Sequence, residues 1–343
     1  MKKILYYVTD HGKGHSTRTI AIIRELEKLG IQIIIRNSNS VNLLQKSLPK
    51  TKIIQGITDV GPAVKEDGLT IDLDKSKIEM SGWINSLHDF AKKEEDTILK
   101  IQPHLIISDI SAMPFLASKK FKIRSMAISN FSWYDAIDFL STHDMEILKN
   151  AYDCADSVIQ LPLGTKMEHF KEKYKTGIVA RIPERSKNDI RKEIGLKEKE
   201  YAVLFAMGGS NQEIICRHEK NIKILTMNSI VNSAESVLNY SEWLEGQELV
   251  SASDLVICKC GYGIISECLT NGIPFLYVSD DTRIELKQVS HELENLGLDN
   301  KRTFNEINNF KIDQNFLESI NKPKKQNVDT RSVINHILEI LKR

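Results

Sequence analysis

The chain has 343 residues, 41% of them hydrophobic and 27% charged, with 8 Pro and 17 Gly. That balance excludes a disordered or fibrous chain and has the length of two globular domains. Lys plus Arg (47) nearly equals Asp plus Glu (46), so no basic face of the kind that nucleic acid requires is expected.

In chain order, the apolar run behind Lys2 and Lys3 stops at Asp10, too soon for a signal peptide or a membrane span, and reads as a first strand near 4–9. Further strands are predicted near 31–36, 52–55, 104–108, 124–128 and 157–160, with helices near 16–29, 40–48, 83–100, 114–120 and 144–153. This alternation builds a parallel sheet covered on both faces. Around Val179–Asp189 the apolar pattern gives way to a polar stretch containing Pro183, which reads as a linker. A second unit repeats the scheme, with strands near 201–207, 222–226, 236–239, 254–258 and 274–278 and helices near 243–251, 263–271, 283–296 and 314–320. A last helix, Asp329–Lys342, carries Val333, Ile334, Ile337, Leu338 and Leu341 at helical spacing and must pack on something, with the first unit across the cleft as the expected partner. The expected division is 1–180, 181–325 and 326–343.

Open parallel sheets bind ligands at the carboxyl ends of their strands. The loop Asp10-His11-Gly12-Lys13-Gly14-His15-Ser16-Thr17-Arg18 leaves the first strand there, its glycines allowing a close ligand approach at a helix N-terminus. His15, in the first helical turn, fits a general base or a residue that merely fills the turn. Asp109 ends another strand of the same sheet and fits either the partner of His15 or a helix cap. In the second unit, Lys259 and Gly261 to Gly263 lead from a strand into a helix, a place to hold a diphosphate, and Gly208-Gly209-Ser210 is a further Gly-rich turn. Glu267, one turn along, fits a ligand for paired ribose hydroxyls or a solvated helix face. Phe131 and Trp133 fit an acceptor platform or cleft packing, and Tyr240 and Trp243 can border a base. No metal site is expected, since Asp72-Leu-Asp74 lies in a polar loop away from any strand end. Five cysteines, an odd number without a secretion signal, suit reduced thiols in the cytoplasm, and Cys258 and Cys260 lack a second ligand cluster.

Lys259-Cys-Gly-Tyr-Gly-Ile-Ile-Ser-Glu267, followed by Asn271-Gly-Ile-Pro274, resembles the donor-site signature of GT-B glycosyltransferases. Tyr6 to Arg18, Asn130-Phe-Ser-Trp133 and Arg181-Ile-Pro183 resemble the glycosyltransferase-like N-terminal region of plant arabinokinases, so the resemblance covers most of residues 1–300. It implies an α/β chain of two doubly wound Rossmann-like domains facing across a cleft. It further implies transfer of a hexosyl or N-acetylhexosaminyl group from a nucleotide diphosphate sugar, UDP-linked, to an acceptor hydroxyl, inverting and without metal or a tightly bound cofactor. The acceptor is left open among carbohydrate, lipid-linked and small-molecule classes, and neither nucleic acid nor membrane contact is required.

In that pattern His15 is the base and Asp109 its partner. Gly208, Gly209, Ser210, Lys259, Gly261, Tyr262 and Gly263 would face the diphosphate, and Glu267 the ribose. His11, Gly12, Gly14, Arg18, Phe131 and Trp133 would line the acceptor or phosphate side. Where the lipid-linked peptidoglycan N-acetylglucosaminyltransferases carry paired glutamines that read the donor sugar, this chain has Asp280 to Gln288, so Glu285 and Gln288 take that place. A UDP-sugar epimerase or hydrolase and a non-catalytic nucleotide-sugar-binding module are the rival readings.

Overall fold

In a computed structural model of the chain, residues 2–68, 70–208, 212–227, 229–233, 237–238, 240 and 244–342 are described. Gly209, Ser210 and Trp243 lie outside them. The first unit runs β1 (Lys3–Val8), α1 (Gly14–Lys28), β2 (Gln32–Arg36), α2 (Val41–Ser47), β3 (Lys52–Ile54), α3 (Leu73–Asn85), α4 (Leu87–Ile101) and β4 (Leu105–Asp109). It continues with α5 (Met113–Phe121), β5 (Ser125–Ser129), α6 (Trp133–Ala136), α7 (Thr142–Tyr152), β6 (Ser157–Gln160) and β7 (Lys173–Lys175). Seven parallel strands form one sheet in the order β3-β2-β1-β4-β5-β6-β7. Strands β1, β4 and β5 are buried almost throughout, which is why they read as continuous apolar runs rather than alternating ones.

The second unit runs α8 (Lys187–Glu193), β8 (Tyr201–Ala206), β9 (Glu213–His218), β10 (Ile222–Thr226), β11 (Ile230–Ser233), α9 (Gly246–Ala252), β12 (Leu255–Lys259) and α10 (Tyr262–Asn271). Then come β13 (Phe275–Val278), α11 (Ile284–Asn295), α12 (Phe304–Asn309), β14 (Lys311–Ile312), α13 (Gln314–Ser319) and α14 (Thr330–Lys342). Its main sheet is parallel, in the order β10-β8-β12-β13. In each sheet the strand order reverses next to the first strand, between β1 and β4 and between β8 and β12. Those reversals open crevices at the carboxyl ends, beside the loops singled out above.

Three local features depart from the expected pattern. The helix expected over 83–100 is two helices, α3 and α4, meeting at Ser86, and α3 begins ten residues earlier because Asp72 caps it, its side chain accepting from Lys75 N at 3.1 Å. Leu73 and Ile78 on α3 are exposed, so this helix lacks the apolar stripe that periodicity detects. Between β8 and β10 the chain forms β9, which pairs with β11 and β14 in a small parallel sheet that short, alternating sequences left unsignalled. The strand expected near 236–239 falls partly on residues outside the described ones, and Leu238 N donates to Ile224 O at 2.9 Å.

Each unit has a buried apolar cluster of its own, around Leu5, Ile106 and Phe115 in the first and around Val203, Phe205 and Ile257 in the second, and a third cluster joins them. That cluster runs from Tyr6 and Val8 through Ile20 and Ile23 of α1 to Tyr262 and Ile265 of α10, and takes in Val333, Ile337 and Leu341 of α14. The final helix lies against α1, and Asp329 in front of it accepts from Gly177 N at 2.8 Å. Polar ties add to this seam. Arg24 Nη2 reaches both oxygens of Glu245 at 2.9 Å, and Val179 N donates to Tyr262 Oη at 3.1 Å. Among the described residues no helix is long and apolar enough to cross a membrane.

Candidate functional site

The first turns of α1 and α10 meet at the crevice. A Cβ on Gly263 would stand 2.6 Å from Thr17 Oγ1 and 3.1 Å from Gly14 Cα and Gly14 O, so the close approach of two backbones demands glycine there. Gly12, in the loop between β1 and α1, has φ +76° and needs glycine for its backbone conformation instead. The meeting of two helix amino termini gathers free N–H groups and partial positive charge at one point, which suits an anion. Lys259, the last residue of β12, adds a cation; its Nζ lies 3.4 Å from Gly68 O of the first unit. Burial first, then the nearby Arg283, push its pKa down to about 8.

His15 sits in the first turn of α1 with Nδ1 3.0 Å from Asp109 Oδ1, and Asp109 is delivered by the end of β4. Burial and the adjacent Arg18 lower the His15 pKa, against the pull of Asp109 and of Glu285 from α11, which favours neutral imidazole. Burial alone would raise Asp109, but Arg18 and His15 hold it below its ordinary value. Arg18 was expected on the ligand-facing loop; it is instead 1% exposed and lies behind the pair. Its Nε donates to Asp109 Oδ2 at 2.7 Å and Nη2 to Asp109 Oδ1 at 2.6 Å, and its guanidinium lies 5.1 Å from the Tyr262 ring centroid.

His11 faces the second unit, where Arg283 Nη2 stands 3.1 Å from its Nε2. Burial, then Arg283, push its pKa down to about 3, so His11 is neutral. Arg283 also pairs with Glu285 Oε1. Although burial opposes it, the cations around Glu285, led by Arg283, keep it ionised, and its Oε2 is buried without a hydrogen-bond partner. An unsatisfied buried carboxylate oxygen beside Lys259 and two histidines is a place for a hydroxyl donor.

Several expected ligand residues have partners within the protein. Glu267, expected to meet ribose, is 2% exposed and its Oε1 accepts from Arg181 Nε of the linker at 2.8 Å. Gln288 donates to Glu292 Oε1 at 3.2 Å along its own helix. Phe131 and Trp133 are buried and are no open platform: Phe131 packs edge-on against His15 at 5.6 Å, Trp133 against His11 at 5.1 Å. Gly208 has φ +62°, and β9, from Glu213, is the next element among the described residues. Tyr240 Oη donates to Thr226 O at 2.7 Å.

Sequence reasoning missed Asp59, which accepts from Thr9 Oγ1 at 2.8 Å, Asp10 N at 2.9 Å and Trp133 Nε1 at 3.0 Å, and so braces the loop under His11. It lies outside any regular element, where a lone Asp gives no periodic signal. Among the described residues no group of three or more His, Cys, Asp or Glu is placed to hold a metal ion. A groove of about 440 Å³ lined by Lys119, Lys122, Arg124 and Lys171 lies at the amino ends of β5, β6 and β7, the wrong end of the sheet for the chemistry described here.

The two parallel sheets with their flanking helices form the two Rossmann-like domains of the GT-B fold, the fold of the glycosyltransferases this chain superposes on. Residues 186–343 match the glycosyltransferase family 28 C-terminal domain. Over 296 residues the chain is 25% identical to the L-arabinokinase of Arabidopsis thaliana, which covers 80% of the chain but only 28% of that protein's length. The crystal structure of MurG from Acinetobacter baumannii superposes with a TM-score of 0.56 at 13% identity, covering 99% of this chain and 100% of that one. Arabidopsis thaliana UGT89C1 complexed with UDP gives 0.57 at 12% identity, with 99% and 91% covered. At such identities the structural likeness is one of fold; with the family 28 domain it supports a glycosyltransferase.

Proposed function

We propose that the chain transfers a sugar from a UDP-sugar to an acceptor hydroxyl, with inversion and without a catalytic metal. Residues 1–180 would receive the acceptor and 181–325 the donor, while 326–343 brace the first unit. The observation that carries this reading is the meeting of α1 and α10 at Gly14 and Gly263, which brings the helix that carries His15, paired with Asp109, against the helix that follows Lys259. His15 Nε2 takes the proton of the acceptor hydroxyl as its oxygen bonds to the anomeric carbon; the bond from that carbon to the diphosphate oxygen breaks, and UDP leaves with the electron pair. The α10 amino terminus and Lys259 stabilise the leaving diphosphate, a task that a metal performs elsewhere. Glu285 Oε2 would accept from a sugar hydroxyl. The UDP complex of UGT89C1, a protein of the same fold, supports the choice of UDP.

UDP binding tests the donor half. UDP should raise the melting temperature at about pH 7 and do so less at about pH 9, because Lys259 loses its charge above a pKa of about 8. His15→Ala should lose at least about a hundredfold in turnover while keeping the UDP shift. Full turnover in this variant would remove His15 from the mechanism. The burial of Phe131 and Trp133 favours a second reading, a UDP-sugar hydrolase or epimerase that needs no acceptor platform. Rapid conversion of a UDP-sugar with no acceptor present would select it.

A further inference from the structure

Arg283 immediately precedes α11, where the chain has just left β13, and β13 runs beside β12 with Val278 paired to Lys259. Neighbouring strand ends therefore deliver two cations. The charged groups that act on Lys259 are Arg283, Glu285, Asp280 and Asp67, and Arg283 acts most strongly of them, after burial itself. Neither cation has spent its hydrogens. Arg283 is 6% exposed, and its side-chain bonds all leave from Nη2, one to Glu285 Oε1 and one to His11 Nε2 at 3.1 Å. That nitrogen carries two hydrogens, and neutral His11 has a lone pair on Nε2 to accept one, so donors and acceptors match. The hydrogen on Nε and the pair on Nη1 have no partner among the described residues, and both nitrogens stay open to solvent. Lys259 makes one contact, to Gly68 O at 3.4 Å, which is long for a hydrogen bond.

A nearly buried guanidinium with three unspent hydrogens calls for a ligand, and the ligand that satisfies it beside an ammonium is an oxyanion with several oxygens. A UDP-sugar has two candidates, the α- and β-phosphates. Glu285 selects between them. It is held against Arg283 by their ion pair, and its unpartnered Oε2 is the acceptor for a sugar hydroxyl, so the phosphate within reach of Arg283 is the one that carries the sugar. We propose that Arg283 is a donor-binding residue that grips the β-phosphate: Nε and Nη1 donate to its oxygens, Lys259 supplies the second cation, and Glu285 reads the sugar next to it. As the sugar leaves, the charge left on that phosphate falls on a guanidinium already in place. His11, by accepting from Nη2, ties this arm of the donor site to the first unit. The proposal rests on the reading of the crevice as a UDP-sugar site.

The test is titration calorimetry with UDP and with UMP, which differ only in the β-phosphate, at about pH 7, where Lys259 keeps its charge. Arg283→Gln alone would leave the Glu285 carboxylate stranded, so it is combined with Glu285→Gln, which removes one charge of each sign and keeps the net charge of the site. Compared with Glu285→Gln by itself, the paired variant should bind UDP at least about tenfold more weakly, with UMP changed by less than about twofold. Arg283→Lys, which serves if the paired variant does not fold, keeps the charge but loses the planar fork, and should cut the preference for UDP over UMP at least about threefold. An unchanged preference in these variants, or an equal loss for both nucleotides, would overturn the proposal and leave the donor reading standing. If the parent protein bound neither nucleotide but did bind inorganic pyrophosphate, and the same variants weakened it about tenfold, the role of Arg283 would stand and the choice of UDP would fall. A parent protein that bound neither UDP nor pyrophosphate would overturn both.

Discussion

Placing a methyl group at position 263 or at position 14 should have opposite effects, although both glycines open helices at the same crevice. In Gly263→Ala the new Cβ meets Thr17 Oγ1 at 2.6 Å and the Gly14 backbone at 3.1 Å, and Thr17 Oγ1 is itself held by Gly14 O at 2.7 Å. Moving the hydroxyl breaks that bond, and moving Gly14 shifts the start of α1. Overpacking of this kind costs about 1–3 kcal/mol. The preference of a helix for Ala over Gly returns at most about 1 kcal/mol. Hence a net loss of up to about 2 kcal/mol is expected, a few degrees in melting temperature for a chain this long. In Gly14→Ala the nearest atom, Gly263 N, is 3.7 Å away, which is ordinary contact. That variant should therefore be neutral or gain about 0.5–1 kcal/mol. Urea unfolding followed by fluorescence, with calorimetry alongside, measures both. If Gly263→Ala matched the parent protein and Gly14→Ala lost stability, the contact between α1 and α10 would not exist in solution, and the site assembled around it would go with it.

Arg181→Ala strands the buried Glu267 carboxylate and should cost about 3–5 kcal/mol, most of it recovered when Arg181→Met is combined with Glu267→Leu. An equal loss in the double variant, read from urea midpoints, would show that the pair has no such energetic role. Burial pushes Asp59 up from 3.8 to about 6, so between those values the folded state binds more protons than the unfolded one. Stability should therefore fall as pH rises from about 4 to about 6 and this contribution should be flat above that, whereas Asp59→Asn should abolish the slope. Since Trp133 Nε1 donates to Asp59, Trp133 emission should titrate near pH 6 in a Trp83→Phe, Trp243→Phe background. Emission that stays constant over that range would contradict the buried, raised carboxyl.

By itself the sequence determined the layered α/β architecture and the chemistry-bearing loops. Strands such as β1 and β4 are covered on both faces, and continuous apolar runs between amphipathic stretches declare that wherever they fall. The strand-to-helix junctions at His15 and Lys259 were legible for a similar reason, since Gly-rich turns leave a local mark. Elements with little apolar patterning, α3 and the β9–β11–β14 sheet, were not.

Tertiary structure alone decided which partner each site residue has. Arg18 lies behind the His15–Asp109 pair because β4, ninety residues along the chain, delivers a carboxylate to it, and Glu267 faces Arg181 because the linker passes over α10. The same holds for Phe131 and Trp133, buried beneath the histidines by the loop around Asp59, and for Gly263, whose lack of a side chain answers to Gly14 in the other unit. Periodicity encodes that a face is buried, but buried charges and close backbones are matched in space, between segments whose separation along the chain carries no local signal.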